Sequence, residues 1–256
     1  MTKKLIVRDH KNIKLRYRLE DGVIGSDYYK DHLVKQLPSI VPDLFSSQKR
    51  PLKILDIATG HGYSAIIMAK CYGNMIDKII AYDINPKAVT LAKRNANLNK
   101  CEKKIDFRIG TLYEPLKKNE CFDLIVSALP PIPISSDELK VLPSKIRSHH
   151  WVKSTGGPTG RHLIDEMIKD AKKYLFYQGA IITVHADFLN TETTLTKIQE
   201  AGLKGSVVGN SEPKKLKDTQ LTYVKKKTIE NLGYTFTMDR DGDEQFFIQV
   251  FFGQNF

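Results

Sequence analysis

The run Ile54-Leu55-Asp56-Ile57-Ala58-Thr59-Gly60-His61-Gly62-Tyr63 constrains this chain more than any other segment. An apolar strand leads into a turn of small residues, and a helical pattern follows. Small residues let a ligand approach the backbone, and the start of the following helix offers unpaired amides at the carboxyl end of a sheet. A second apolar run, Ile80-Ala81-Tyr82, ends in Asp83, about 20 residues after the turn, the separation at which an acid grips a ribose diol. Taken singly, Gly60 and Gly62 need only be a tight turn and Asp83 only a helix cap; together they favour a ligand. A nicotinamide dinucleotide fits less well. Its fingerprint wants glycines at the first, third and sixth positions of the turn, and here Ala58 opens the turn and Tyr63 closes it.

From Leu52 onward, short β-branched runs alternate with helical patterns, which predicts an α/β fold, a mainly parallel sheet flanked by helices. Strands are expected at Leu52–Ile57, Lys78–Tyr82, Ile105–Ile109, Phe122–Ser127 and Ala180–His185. Asn85-Pro86 predicts a helix start, with asparagine capping free amides and proline in the first turn. Another helix is expected after Gly160, with Leu163, Ile164, Met167, Ile168, Ala171 and Leu175 on one face. Near the end, Tyr234–Met238 and Gln245–Phe252 flank an Asp-Gly turn at Asp241-Gly242, so an antiparallel hairpin is expected to close the sheet. Phe246, Phe247, Phe251, Phe252 and Phe256 read as core rather than as a stacking platform.

At 256 residues the chain suffices for one domain with additions. Residues 1–50 read as a β-arm and a helix from about Tyr28 to Leu37, forming a lid on the acceptor side. Residues 51–256 form the core, with a basic insertion near 203–232. No apolar run approaches the roughly 18 residues that span a bilayer, and the basic, briefly apolar start turns charged too soon for a signal peptide, which predicts a cytoplasmic protein. Cys71, Cys101 and Cys121 are odd in number and widely spaced, fitting reduced thiols rather than a disulfide framework or zinc site. A net charge of +11 fits either a solvated lysine-rich surface or an acidic partner such as RNA. Lys214, Lys215, Lys217, Lys225, Lys226 and Lys227 concentrate part of that charge, which favours a partner.

From about Leu52 to His185 the sequence resembles the class I S-adenosylmethionine-dependent methyltransferases, and within them the glutamine side-chain methyltransferases that modify peptide release factors. The likeness rests on the Asp56–Tyr63 turn, on Ala81-Tyr82-Asp83-Ile84-Asn85-Pro86 and on Asn95-Ala96-Asn97-Leu98-Asn99. It continues through Gly110-Thr111-Leu112-Tyr113-Glu114-Pro115-Leu116, Phe122–Ser127 and Gly156-Gly157-Pro158-Thr159-Gly160. The resemblance implies a Rossmann-like, seven-stranded sheet and S-adenosylmethionine as cofactor. It implies that Asp56 and the turn with Ala58, Thr59, Gly60 and Gly62 hold the methionine part, Asp83 the ribose hydroxyls, and Thr111 and Leu112 the adenine, with Ile84 and Ser127 also among the cofactor-binding residues.

Three features depart from that family. Its Asn-Pro-Pro-Tyr motif, whose asparagine and a proline carbonyl pin the acceptor nitrogen, is replaced by Ser127-Ala128-Leu129-Pro130-Pro131-Ile132-Pro133. Neither Ala128 nor Leu129 offers a side-chain hydrogen bond at the asparagine position. Thr111 stands where the family usually has aspartate, and the front of the chain is too short for the helical domain of the bacterial enzymes. Candidate acceptor-loop residues are therefore Ala128, Pro130, Pro131 and His150, the last a base for an amine or hydroxyl or simply a solvated loop histidine beside His149. Tyr28, Tyr29 and Trp151 would wall a small pocket or pack the arm. The leading expectation is methyl transfer to a nitrogen of a protein or small-molecule acceptor. The alternatives are methylation of an RNA base, and a protein that uses the cofactor for another reaction or as a recognition module.

Overall fold

Parallel strands make up most of the main sheet, and the central pair, Leu52–Ile57 and Phe122–Ser127, is almost wholly buried, as strands covered by helices on each side must be. The computed structural model describes residues 4–10, 12–23, 28–134, 140, 156–218 and 226–256. In chain order the parallel strands are β3 (Leu52–Ile57), β4 (Ile76–Asp83), β5 (Ile105–Ile109), β6 (Phe122–Ser127) and β7 (Leu175–Ala186). Ahead of them come β1 (Lys4–His10), β2 (Ile13–Leu19), α1 (Tyr28–Val34) and α2 (Leu37–Gln48). Between and after them lie α3 (Tyr63–Cys71), α4 (Pro86–Leu98), α5 (His162–Ala171), α6 (Thr191–Glu200), β8 (Lys204–Asn210), β9 (Lys214–Lys215), α7 (Lys226–Asn231), β10 (Thr237–Met238), β11 (Glu244–Phe246) and β12 (Ile248–Gln254).

The seven-stranded sheet runs β5-β4-β3-β6-β7-β12-β8, with β12 antiparallel to both neighbours. The chain builds outward from β3 through β4 to β5, then returns to place β6 on the other side of β3. That reversal opens a crevice beyond the carboxyl ends of β3 and β6, where open α/β sheets bind ligands. Register makes the crevice specific: Ile57 pairs with Ser127, so the turn after β3 and the loop after β6 leave the sheet side by side.

The expected fold class is the observed one, with differences in detail. β4 and β7 extend beyond the expected limits, and Leu175 begins β7 instead of ending the helix after Gly160. A short 3-10 turn at Lys172–Tyr174 intervenes there. The Asp-Gly hairpin forms as β10 and β11, but it joins β9 in a separate three-stranded sheet, and the main sheet is completed by β12 and β8. Within the stretch expected as an insertion, β8 forms the outermost strand of the main sheet. Phe246 and Phe251 are buried as expected; Phe256 is exposed.

The amino-terminal hairpin β1–β2 is attached by two asparagines four residues apart, Asn95 on α4 and Asn99 capping its end. Asn95 and Asn99 are buried, and each uses both ends of its amide as a strand would. Asn95 accepts from the Arg18 amide at 2.8 Å and donates to the Arg18 carbonyl at 3.1 Å. Asn99 does the same with Arg16, at 3.0 and 2.7 Å. These bonds satisfy the outward edge of β2, which no other strand covers.

Candidate cofactor and acceptor site

The turn after β3 is built around a carboxylate. Asp56 is buried, and its oxygens accept from the Thr59 hydroxyl at 2.6 Å and the Ser64 hydroxyl at 2.8 Å. Burial pushes its carboxyl above the ordinary aspartate range, against the opposing pull of the Lys30 ammonium and the two hydroxyls. Ala58, Gly60 and Gly62 all have positive φ, at 58°, 61° and 91°. At Gly62 a side chain is doubly excluded, since a Cβ there would stand 3.1 Å from the Ala92 Cβ and 3.3 Å from its Cα. The demand for a small residue therefore falls on Gly62, not on Tyr63. Tyr63 instead turns its hydroxyl to Asp31 at 2.5 Å, with the Arg8 guanidinium 5.0 Å from its ring centre.

Asp83 closes the turn from the neighbouring strand. One carboxylate oxygen accepts from the Gly60 amide at 2.9 Å, the other from the Asn85 amide at 2.9 Å. Asn85 then caps α4 as expected, its side chain accepting from the Lys87 amide at 3.0 Å. Two apolar side chains remain uncovered at this end of the sheet: Ile84, 70% exposed, follows Asp83, and Ile109, 59% exposed, pairs with it across the ladder. Thr111 and Leu112 are half-buried in the next turn, and Leu112 has a φ of 45°. Exposed apolar surface beside a half-buried carboxylate suits an adenosine, the ring against the isoleucines and the diol on Asp83. The residues present thus fit S-adenosylmethionine.

Ser127 is buried at the junction of the two loops, its hydroxyl 3.4 Å from the Ile57 carbonyl. Beyond it Ala128 and Pro130 are half-buried, while Leu129 and Pro131 are buried. The proline-rich loop is pinned to the Gly156–Gly160 segment: the Gly156 amide donates to the Ile132 carbonyl at 3.0 Å, and the Ile134 amide to the Gly157 carbonyl at 3.0 Å. Gly160, with φ 76°, lets this approach happen, because a Cβ there would lie 2.7 Å from the Pro131 carbonyl oxygen. The loop that departs from the family and the Gly156–Gly160 segment that resembles it are therefore one structural unit. His149, His150 and Trp151 lie outside the described residues.

Lys30 is a site residue that no sequence signal marks. Projecting from α1, its ammonium donates to the carbonyls of Ala58 at 2.9 Å and Thr59 at 2.7 Å, gripping the turn opposite Asp83. Its neighbours Tyr28 and Tyr29 meet edge to face with ring centres 6.0 Å apart. α1 also packs against β7 and β12, at the end of which Asp187 accepts from the Phe247 amide at 3.0 Å. Two lysines of the basic stretch are paired with aspartates within the chain, and a third lies on an aromatic ring. Lys214 sits 3.6 Å from the Tyr28 ring centre, Lys215 binds Asp239 and Asp243 at 2.8 Å each, and Lys217 binds Asp243 at 2.6 Å. Lys226 and Lys227 open α7, and Lys225 lies outside the described residues.

Comparison with known proteins agrees with this geometry. The methyltransferase-domain family matches residues 48–207. A Methanocaldococcus jannaschii protein, provisionally named a protein N5-glutamine methyltransferase, is 33% identical over 151 residues, 59% of this chain and 70% of its own length. The release factor glutamine methyltransferase of Aquifex aeolicus is 26% identical over 165 residues, and the chain covers 55% of its length. Among solved structures, the T. thermophilus 16S rRNA guanine methyltransferase RsmC, in complex with AdoMet and guanosine, aligns with a TM-score of 0.59 at 12% identity, covering 99% of this chain and 51% of that one. A precorrin methyltransferase from Geobacter metallireducens aligns with a TM-score of 0.53 at 12% identity, covering 93% and 94%. These two similarities establish the fold alone. No helix among the described residues is long and apolar enough to cross a membrane. With a family model matched over residues 48–207, this chain belongs to the methyltransferase-domain family and is an S-adenosylmethionine-dependent enzyme.

Proposed function

We propose that the chain methylates a nitrogen of a protein acceptor, a side-chain amide of the glutamine type being the acceptor that its relatives' names favour. The observation that carries this reading is the pairing of Ile57 with Ser127, which sets the acceptor loop directly beside the cofactor turn. Bound S-adenosylmethionine supplies an electrophilic methyl group, so the chain's own part is positioning. Asp83 and the turn amides fix one side; the Ala128–Pro131 loop fixes the other.

The loop has no asparagine, and its chemistry differs accordingly. Pro130, Pro131 and Pro133 lack N–H groups, so this stretch presents carbonyls in place of donors. Backbone carbonyls accept the hydrogens of an amide or amine and so orient its nitrogen, a task the family shares between a side chain and a carbonyl. Clamping by Gly156 and Gly160 holds those carbonyls in place without the asparagine. Incubating the chain with isotopically labelled S-adenosylmethionine and glutamine-containing peptides, followed by fragment mass spectrometry, tests the reading. The expected product carries the label on a side-chain nitrogen. Label found only on oxygen or sulfur would contradict it, as would no label on any peptide.

A further inference from the structure

Outside the site, a row of exposed positive charge among the described residues lies on the amino-terminal hairpin, far in sequence from the lysine-rich stretch. Lys14, Arg16 and Arg18 alternate along β2, and all three are exposed. Their cross-strand partners are Asp9, Val7 and Leu5, so one face of the hairpin carries three cations against one acid. Among the described residues the side chains of Lys14, Arg16 and Arg18 enter no ion pair. Lysines 215 and 217, by contrast, are held by Asp239 and Asp243.

The ridge also has a direction. Arg94 on α4 pairs with Glu20 just past the end of β2, and the Asn85 side chain donates to the Gly22 carbonyl at 2.9 Å. The cationic face therefore runs from the hairpin tip toward the start of α4, two residues beyond Asp83. Leu5 and Val7, 57% and 54% exposed, give it an apolar edge. Among the described residues no aromatic side chain of the hairpin lies on this face, since Tyr17 is buried.

We propose that this face docks the phosphate backbone of single-stranded RNA, leading it past the mouth of the cofactor site. Alternate residues of a strand repeat at about 6–7 Å, close to the step between successive phosphates of an extended strand, so three cations can each meet one phosphate. A face without base-stacking aromatics holds backbone and reads no sequence. A nucleic-acid backbone carries a negative charge at every step and so meets all three cations in any register, whereas an acidic protein surface must place three acids in line, which favours the nucleic acid.

Anisotropy of a fluorescein-labelled oligouridylate, titrated with the full chain over a range of salt, tests this. Binding should weaken with salt, and the triple variant Lys14→Thr, Arg16→Thr, Arg18→Thr should lower the log–log salt slope by about 2, with at least a tenfold loss of affinity at low salt. The pair Lys215→Thr, Lys217→Thr should bind as the parent does. Unchanged calorimetric binding of S-adenosylhomocysteine certifies that the triple variant is folded; if it is not, Arg16→Thr alone should lower the slope by about 0.7. Parent-like binding by the folded hairpin variant, no salt-dependent binding by the parent, or displacement of the RNA by polyglutamate at equal charge would each overturn the proposal. These readouts are independent of whether a peptide amide is methylated.

Discussion

A carboxylate oxygen of Asp83 accepts the amide hydrogen of Gly60 at 2.9 Å, tying the end of β4 to the turn that follows β3. The bond explains how an acid separated in sequence from the turn comes to act with it. It also holds the Gly60 peptide in a left-handed conformation that leaves the helix start of α3 open to a ligand.

Gly62→Ala tests how tightly that turn is packed. A methyl group at φ 91° meets Ala92 at 3.1 Å, and both the conformation and the contact are unfavourable. The expected loss is about 1–3 kcal/mol, measured by urea denaturation, with weaker cofactor binding in the folded fraction. An unchanged midpoint would show that α3 and α4 can separate at no cost.

Gly160→Ala addresses the acceptor loop without touching the cofactor side. The added carbon would lie 2.7 Å from the Pro131 carbonyl oxygen, so the loop must shift. Calorimetry should show cofactor binding preserved, whereas peptide methylation falls roughly 10- to 100-fold, the penalty for a small misplacement of a reacting group. Equal loss of both would place Gly160 in general stability instead.

Asn95→Ala removes the side-chain bonds to the Arg18 amide and carbonyl and to the His61 carbonyl. Leaving buried backbone groups of β2 without partners should cost about 2–4 kcal/mol. Faster proteolysis within residues 4–19 should accompany that loss. Parent-like stability and cleavage would mean that the hairpin is held by its apolar face alone.

His185 provides a pH signature. It is buried on β7, bonded to the Ala186 carbonyl and the Thr194 hydroxyl, and burial pushes its imidazole down to about 3 from 6.5. The unfolded chain therefore takes up a proton at a higher pH than the fold does. Stability from the neutral ring is complete above pH 6.5 and is lost as pH falls toward 3, at up to about 1.4 kcal/mol per pH unit. Denaturation midpoints of His185→Gln, measured across this window, should lack that slope; a slope equal to the parent's would assign the acid sensitivity elsewhere.

The cofactor half was legible in the sequence because each of its signals is local. Strand, small-residue turn and helix occupy one run from Ile54 to Tyr63, and Asp83 ends the next strand. The Asn85-Pro86 helix start was equally local. What escaped depends on contacts across long separations. Lys30 reaches the Ala58 and Thr59 carbonyls from a helix that is expected but whose lysine no pattern singles out, and Asn95 and Asn99 serve as strand partners for residues some 80 positions earlier. The Asp-Gly turn was correctly placed, but which sheet its strands join is decided by β9, a two-residue strand too short to carry a pattern. Charge is hard to read for the same reason: Lys215 and Lys217 face aspartates in space, while Lys14, Arg16 and Arg18 of β2 alternate and enter no ion pair among the described residues.

Titration of the parent and Asp83→Ala with S-adenosylmethionine in a calorimeter measures the central claim most directly. The parent should bind at a single site. Loss of the carboxylate's charged hydrogen bonds should weaken binding by about 1.5–3 kcal/mol, roughly 10- to 150-fold, with the fold intact by circular dichroism. Equal affinity in the two proteins, or no heat from the parent at millimolar ligand, would contradict the assignment of this turn as the cofactor site.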